Sequence, residues 1–305
     1  RLRAPRGVSP HGVVGRRRGS TERSGTLLKD PFGHAGQAAA YAVARPRYPE
    51  SLVSRVMDRR EGSEHGLAVD VGCGTGQLST PLARVFDRVV AVDRSEAQLQ
   101  EADRSAANVE YRPGDAYEIP LGTHSADLLT IGQALHWLDG PRFFREAARI
   151  LKPRGGVNFA CFGYAAPSFA DAELQAVFRH FYIDVLGSDK EPGQPGCWWD
   201  VSRPLLDSGF DEAKYSFPLR HIERRWAHQE KRITLHDFAT YVKSMSAYRA
   251  LVAHKEGTDY DDPLPPLLRD LERRGGGGSG STGQVLDEEK TGVLLRVPFF
   301  LVSGE

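Results

Sequence analysis

The segment Leu67-Ala-Val-Asp70-Val-Gly72-Cys-Gly74-Thr-Gly76-Gln77 constrains this chain more than any other. A short apolar run, fit for a buried strand, enters three alternate glycines. It leaves into QLSTPLARVF (77–86), where Leu78, Leu82 and Val85 share one helical face. Glycines at a strand-to-helix turn let the backbone bend sharply and let a ligand approach with no Cβ in the way. A tight structural turn explains a lone glycine as well; the strand–turn–helix setting is what points to a ligand.

The same alternation continues along the chain. RVVAVD (88–93), VEYRPGD (109–115), ADLLTIGQ (126–133) and GVNFACFG (156–163) read as further strands. Between them lie a helix after Ser95, a candidate N-cap with Leu99 and Ala102 on one stripe, and the helix PRFFREAARIL (141–151), opened by Pro141. Strands alternating with helices imply an α/β fold with a parallel sheet and right-handed crossovers. After residue 163 the order changes. Ser168–Asp171 and Thr234–Asp237 resemble capping boxes before amphipathic helices, PLLDSGF (204–210) a short helix, KYSFPLRHIERRW (214–226) a strand and VLLRVPFFLV (293–302) a last strand. The helix after Thr234 is expected to run through Tyr241, Met245 and Val252. RRGGGGSGSTGQ (273–284) reads as a flexible loop.

Three acids narrow the ligand. Gln77 stands where a dinucleotide fingerprint has its third glycine, which disfavours a close pyrophosphate. Asp70, just before the turn, would repel a phosphate but suits a ligand with a positive charge. Asp93 ends the next strand, where a carboxylate can accept hydrogen bonds from both ribose hydroxyls; a helix N-terminal acid is the plainer alternative. Asp115 ends the third strand, and its side chain or adjacent backbone could read an adenine amino group. A nucleoside with a cationic, phosphate-free tail fits this set: S-adenosylmethionine.

DVGCGTG, VVAVD, the Gly114-Asp115-Ala116 turn, LKPRGG and LLDSGF resemble the motifs of class I S-adenosylmethionine-dependent methyltransferases (methyltransferase type 11). Phe32 with Ala39–Tyr41, Arg45-Pro-Arg-Tyr-Pro49, Gln133-Ala-Leu-His-Trp-Leu-Asp139 and Tyr241–Tyr248 resemble patterns of the trans-aconitate methyltransferase-like group, with Leu138 and Met245 as departures. The likeness spans roughly residues 32–303. It implies a doubly wound, Rossmann-like sheet of seven mostly parallel strands, an antiparallel C-terminal hairpin strand and a helical cap insertion at about 164–260, all within a domain over 29–305. It implies cofactor contacts from Tyr41, Asp70, Gly72, Gly74, Gly76, Asp93, Asp115, Ala116 and Gln133, with the Tyr41–Arg45 segment folding over the cofactor. His136, Trp137 and Arg45 are candidates for the acceptor pocket.

Methyl transfer is an in-line displacement that rests on positioning, so no catalytic residue is required for an acceptor already ionised. The expected acceptor is a small molecule, in the first instance a carboxylic acid methylated on oxygen; IGQALHW lacks the Asn-Pro-Pro-Tyr-type residues that orient an amide or amino group. A macromolecular methyltransferase and a non-catalytic cofactor-binding scaffold are the alternatives. Forty Lys+Arg against forty Asp+Glu gives no net charge, which argues against nucleic acid or an acidic membrane as general partners. No apolar run has the length of a membrane span. Cys73, Cys161 and Cys197 show neither metal-ligand nor disulfide spacing. These features fit a cytoplasmic protein. Residues 1–28 read as a basic disordered tail, their glycines and prolines counting against the other reading, a mitochondrial transit segment.

Overall fold

A computed structural model describes residues 46–60, 65–153, 156–255, 261–275 and 292–305. The expected basic tail, Tyr41, Arg45 and most of the glycine-rich loop lie outside the described residues. Among the described residues, no helix is long and apolar enough to cross a membrane.

The chain runs α1 (Glu50–Asp58), β1 (Leu67–Val71), α2 (Ser79–Leu82), β2 (Arg88–Asp93), α3 (Glu96–Gln100), β3 (Val109–Pro113), β4 (Leu128–Gly132), α4 (Gly140–Ile150), β5 (Phe159–Tyr164) and β6 (Ser168–Phe169). It continues with α5 (Ala172–His180), running into a π-turn at Phe181–Val185, then α6 (Arg203–Asp207), β7 (Glu223–Ile233), α7 (Leu235–Ser244), α8 (Ser246–Lys255), α9 (Leu264–Gly275) and β8 (Val293–Gly304).

Strands β1 to β5 pair in parallel in the order β3-β2-β1-β4-β5, and β8 lies antiparallel between β5 and β7. Eight strands occupy seven positions. β5 and β6 lie along the same edge of β8, Tyr164 opposite Phe299 and Ser168 opposite Arg296. One extra residue on the β5–β6 side makes a bulge between them. The sheet separates two cores. Ala68, Leu128, Ala160, Phe162, Phe299 and Leu301 face one side, and Val69, Leu129, Phe159, Cys161, Phe300 and Val302 the other. Burial on both faces is why these strands read as unbroken apolar runs.

β8 and β7 are longer than the strands beside them, twelve and eleven residues against six in β5. Only Phe299–Gly304 of β8 accompany β5; Val293–Pro298 run on beyond its carboxyl end, paired with β7 and β6. Helices α5, α7, α8 and α9 share the apolar core of this overhang, with Phe169, Phe178, Phe238, Leu271, Val293 and Leu295 all buried. The cap therefore stands above the carboxyl ends of the parallel strands.

Several elements differ from the sequence reading. The helix after the glycine turn is regular only over Ser79–Leu82. The helix expected from Ser168 starts at Ala172: Ser168 belongs to β6, and Asp171 caps the helix by accepting from Glu173 and Leu174 N–H. The strand expected at 214–226 begins at Glu223, after His221 takes a positive φ. The helix through Met245 breaks there, where extended backbone separates α7 from α8. β7 and β8 pair antiparallel but are joined through helices rather than a tight hairpin. Arg273 and Arg274 close α9 instead of entering the glycine loop.

The β3–β4 connection, which carries Asp115 and Ala116, is tied to α4 by a closed network. Buried Glu146 accepts from Ile119 N (2.6 Å) and from Arg149 Nε and Nη2 (both 2.7 Å), and Arg149 donates onward to Leu121 O (2.8 Å) and Ile119 O (3.0 Å). The Arg149 guanidinium holds the Glu146 carboxyl below the usual carboxylate range. Replacing Glu146 with Ala leaves the Ile119 N–H and Arg149 Nε without their acceptors. The expected loss is about 2 kcal/mol in denaturant unfolding, with a smaller loss for Glu146→Gln.

Candidate functional site

Strand β1 delivers Asp70 into the sheet, 1% exposed. Its cross-strand neighbour on β4 is Thr130, whose hydroxyl donates to Asp70 Oδ1 at 3.0 Å; Ser79, at the start of α2, donates to Oδ2 at 2.7 Å. Burial pushes the Asp70 carboxyl up from 3.8 to about 6, against the two hydroxyls that favour its ionised form; nearby Asp93 adds to the rise.

The turn follows at once. Gly72, Gly74 and Gly76 have φ of +63°, +55° and +89°, the left-handed region that glycine enters without a steric cost. Space matters as much as conformation. A Cβ on Gly72 would lie 2.7 Å from Ala134 Cβ, and one on Gly74 would lie 2.7 Å from Gln98 Oε1. The turn is pinned to β2 by Gly72 and Cys73 N–H, both donating to Val92 O.

Asp93 closes the arrangement. Its Oδ2 accepts from Gly74 N at 2.7 Å and its Oδ1 from Ser95 N at 2.8 Å. The acid therefore braces the turn and the entry to α3. Gly114 N donates to Asp93 O at 3.0 Å, which brings the Gly114–Ala116 turn beside the same strand end. Asp115 is exposed, and its Oδ1 accepts from Tyr117 N.

On the other flank, Gln133 also has a positive φ, +51°. Its N–H donates to Phe162 O, its Nε2 donates to Tyr164 O at 3.2 Å, and its Oε1 accepts from Tyr164 N at 3.0 Å. The side-chain amide and the N–H are both committed to β5, so toward a ligand Gln133 has its backbone carbonyl to offer. The following turn, Leu135–Trp137, carries His136 and Trp137 with ring centroids 5.5 Å apart. The close approach of Gly72 to Ala134 brings this segment against the glycine turn.

Asp70, the three glycines, Asp93, Gly114–Ala116 and Gln133–Trp137 thus assemble along the carboxyl ends of β1 to β4, where open α/β sheets take ligands. Tyr41 and Arg45 are outside the described residues, but the segment after them is not. Tyr48 packs on Phe162 (5.6 Å between ring centroids), Phe299 (6.0 Å) and Tyr164 (6.5 Å). A Cβ on Gly132 would lie 3.1 Å from the Tyr48 hydroxyl. Sequence reasoning did not single out Tyr48, Ser79, Thr130 or Gln98. The Arg45–Pro49 pattern could have pointed to Tyr48; the others depend on strand register and helix phase.

The comparisons agree with this geometry. A methyltransferase domain family model matches residues 69–159. A Saccharomyces cerevisiae protein named as an S-adenosylmethionine-dependent methyltransferase is 31% identical over 258 residues, covering 77% of this chain and 85% of the relative. A Dictyostelium discoideum protein named as a methyltransferase is 29% identical over 246 residues, 81% of this chain and 86% of its own. A solved type II methyltransferase from Anaeromyxobacter dehalogenans superposes with a TM-score of 0.66 at 30% identity, over 86% of this chain and 97% of that one.

Asp70 generates a prediction of its own. With its carboxyl raised to about 6 in the folded chain and near 3.8 in the unfolded one, the folded state holds the extra proton between those values. Stability therefore falls as pH rises through that window and levels off above it. Asp70→Asn removes the ionisation while the Ser79 and Thr130 hydroxyls can still donate or accept. The variant is expected to melt higher than the parent at pH 8, by a difference on the order of 3 kcal/mol or less. That difference should vanish near pH 4 in calorimetry.

Proposed function

We propose, because this chain belongs to the S-adenosylmethionine-dependent methyltransferases, that its acceptor is a small molecule methylated on a carboxylate oxygen. The observation that carries this reading is that two aromatic clusters, Tyr48 with Phe162 and Tyr164 beside β5 and Phe169 with Phe178 and Phe238 in the cap, share one apolar core. Such a roof above β5 favours an enclosed acceptor over a macromolecular surface. The likeness to the trans-aconitate methyltransferase-like group supports a carboxylate.

The cofactor is S-adenosylmethionine, and the residues beside the turn suit it. The buried carboxyl of Asp70 would answer the positive charge at the methionine end, directly or through water. The Asp93 carboxylate, at the end of β2, would accept from the ribose hydroxyls. Gly72, Gly74 and Gly76 leave room for a ligand against bare backbone, and Asp115 and Ala116 would border the adenine. Gln133 would contribute its backbone carbonyl, and Tyr41 would close over the cofactor.

When bound, the cofactor supplies an electrophilic methyl group on a sulfonium. The protein's share is to orient the acceptor in line and keep water away. A carboxylate is ionised at neutral pH and needs no general base, but it does need donors to fix its direction. His136, Trp137 and Arg45 are assigned to that wall of the pocket.

Transfer from methyl-labelled S-adenosylmethionine into a fractionated cell extract tests the acceptor. Label in small, base-labile products is the expected result; label in RNA or protein overturns the reading. Two binding measurements test the cofactor side. Asp93→Ala should weaken S-adenosylmethionine binding by roughly 1–3 kcal/mol while the variant stays folded. Affinity in the parent protein should rise with pH through about 6, as Asp70 ionises, and should lose that dependence in Asp70→Asn.

A further inference from the structure

Asp207, at the end of α6, accepts three donors. Ala166 N and the Tyr182 hydroxyl each donate at 2.9 Å, and Arg203 Nη2 completes the set from one helical turn away. Ala166 lies two residues beyond β5, so this cluster adjoins the strand end where Tyr164 meets Gln133 and Tyr48. Tyr182 comes from the π-turn after α5, and Trp199 from the loop before α6.

Arg203 is only 9% exposed and Trp199 only 7%. The guanidinium centre lies 4.8 Å from the Trp199 ring centroid and 5.7 Å from that of Tyr182. Two donors in this cluster are left over: Arg203 Nε and the Trp199 indole nitrogen are buried and have no hydrogen-bond partner among the described residues. A buried N–H without an acceptor is costly, more so on a charged group. The Asp207 carboxylate accepts from Ala166 N, the Tyr182 hydroxyl and Arg203 Nη2, and neither Arg203 Nε nor the indole nitrogen bonds to it. What is missing is an acceptor with oxygen lone pairs, and a negative charge would suit the guanidinium best.

We infer that Arg203 and Trp199 form the anion-binding end of the acceptor pocket, where the guanidinium Nε–H and the indole N–H donate to a carboxylate of the incoming acid. The inference rests on the carboxylate reading above and adds to it the residues that select the charge. Asp207 and Tyr182 hold the guanidinium from behind, and the Trp199 ring fixes its plane. Both groups lie on α6 and the loop before it, elements that carry none of the cofactor-side acids.

The test uses the full-length enzyme and the acidic small-molecule fraction of the extract as acceptor, with base-labile methyl label as readout. Trp199→Phe keeps the ring under Arg203 but removes its N–H. Arg203→Lys keeps a cation beside Asp207 but removes the planar fork. Each is expected to raise the half-saturating amount of acceptor about tenfold. The maximal rate should change much less, and S-adenosylmethionine affinity should stay within twofold, which also reports an intact fold. Unchanged acceptor saturation in both variants, with ester still formed, overturns this inference and leaves the carboxylate reading standing. So does a loss confined to cofactor affinity and melting temperature, which would make the cluster a packing element. If the parent protein forms no base-labile ester at all, the carboxylate reading fails and this inference fails with it.

Discussion

The upper half of the molecule hangs on one backbone pairing, that of β8 with β7. Antiparallel hydrogen bonds run along it from Glu223 opposite Ser303 to Ile233 opposite Val293. Its lower part completes the sheet against β5, and its upper part projects past the parallel strands. A parallel strand in the place of β8 would have to enter from the far end through a crossover. The antiparallel one arrives from the cap and descends into the core. The chain therefore builds the cap and the last sheet position from one strand, with Val293 and Leu295 under the helices and Phe299 to Val302 between the two cores.

Beneath that overhang the site is governed by where charge is allowed. Asp70 sits inside the sheet, where ionisation is resisted by burial and only partly favoured by the Ser79 and Thr130 hydroxyls. Asp93 is instead tied to two backbone N–H groups, Gly74 and Ser95. Two carboxyls at the ends of adjacent strands thus meet different surroundings, one held by hydroxyls inside the sheet and one bracing the turn. A cationic ligand beside the turn would favour the charged form of Asp70.

Much of the lower half was legible in the sequence, because strands buried on both faces leave unbroken apolar runs and a glycine turn leaves its spacing. Asp70, Asp93 and the glycines were legible through their positions at strand ends. What the sequence hides is relation across strands. Thr130 faces Asp70 only through parallel register, and Gln133 spends its amide on Tyr164 only because β4 and β5 are neighbours. Ser168 looked like a helix cap because Asp171 follows at the right spacing, but β8 takes Ser168–Phe169 into the sheet and leaves the capping to Asp171. Trp199 carries no sequence motif that marks it off from a core aromatic. Its burial agrees, yet its link to Arg203, Asp207 and Tyr182 joins three separate segments and has no local signature.

The two halves of the site touch at few points. Gly72 approaches Ala134, and Gln133 clasps Tyr164; beyond these, the acids of β1 and β2 and the Arg203–Trp199 cluster sit on different elements. Groups that share no partner contribute to binding almost independently. Exchange of side chains in the Arg203–Trp199 cluster is therefore expected to have little effect on the glycine turn. The reverse does not hold for the Gln133 link, where a left-handed residue is kept in place by bonds to both Phe162 and Tyr164. A disturbance there would reach the glycine turn through Ala134 and the aromatic roof through Tyr164 together. The end of β4 is thus a point where the glycine turn and the aromatics beside β5 are held by one short segment.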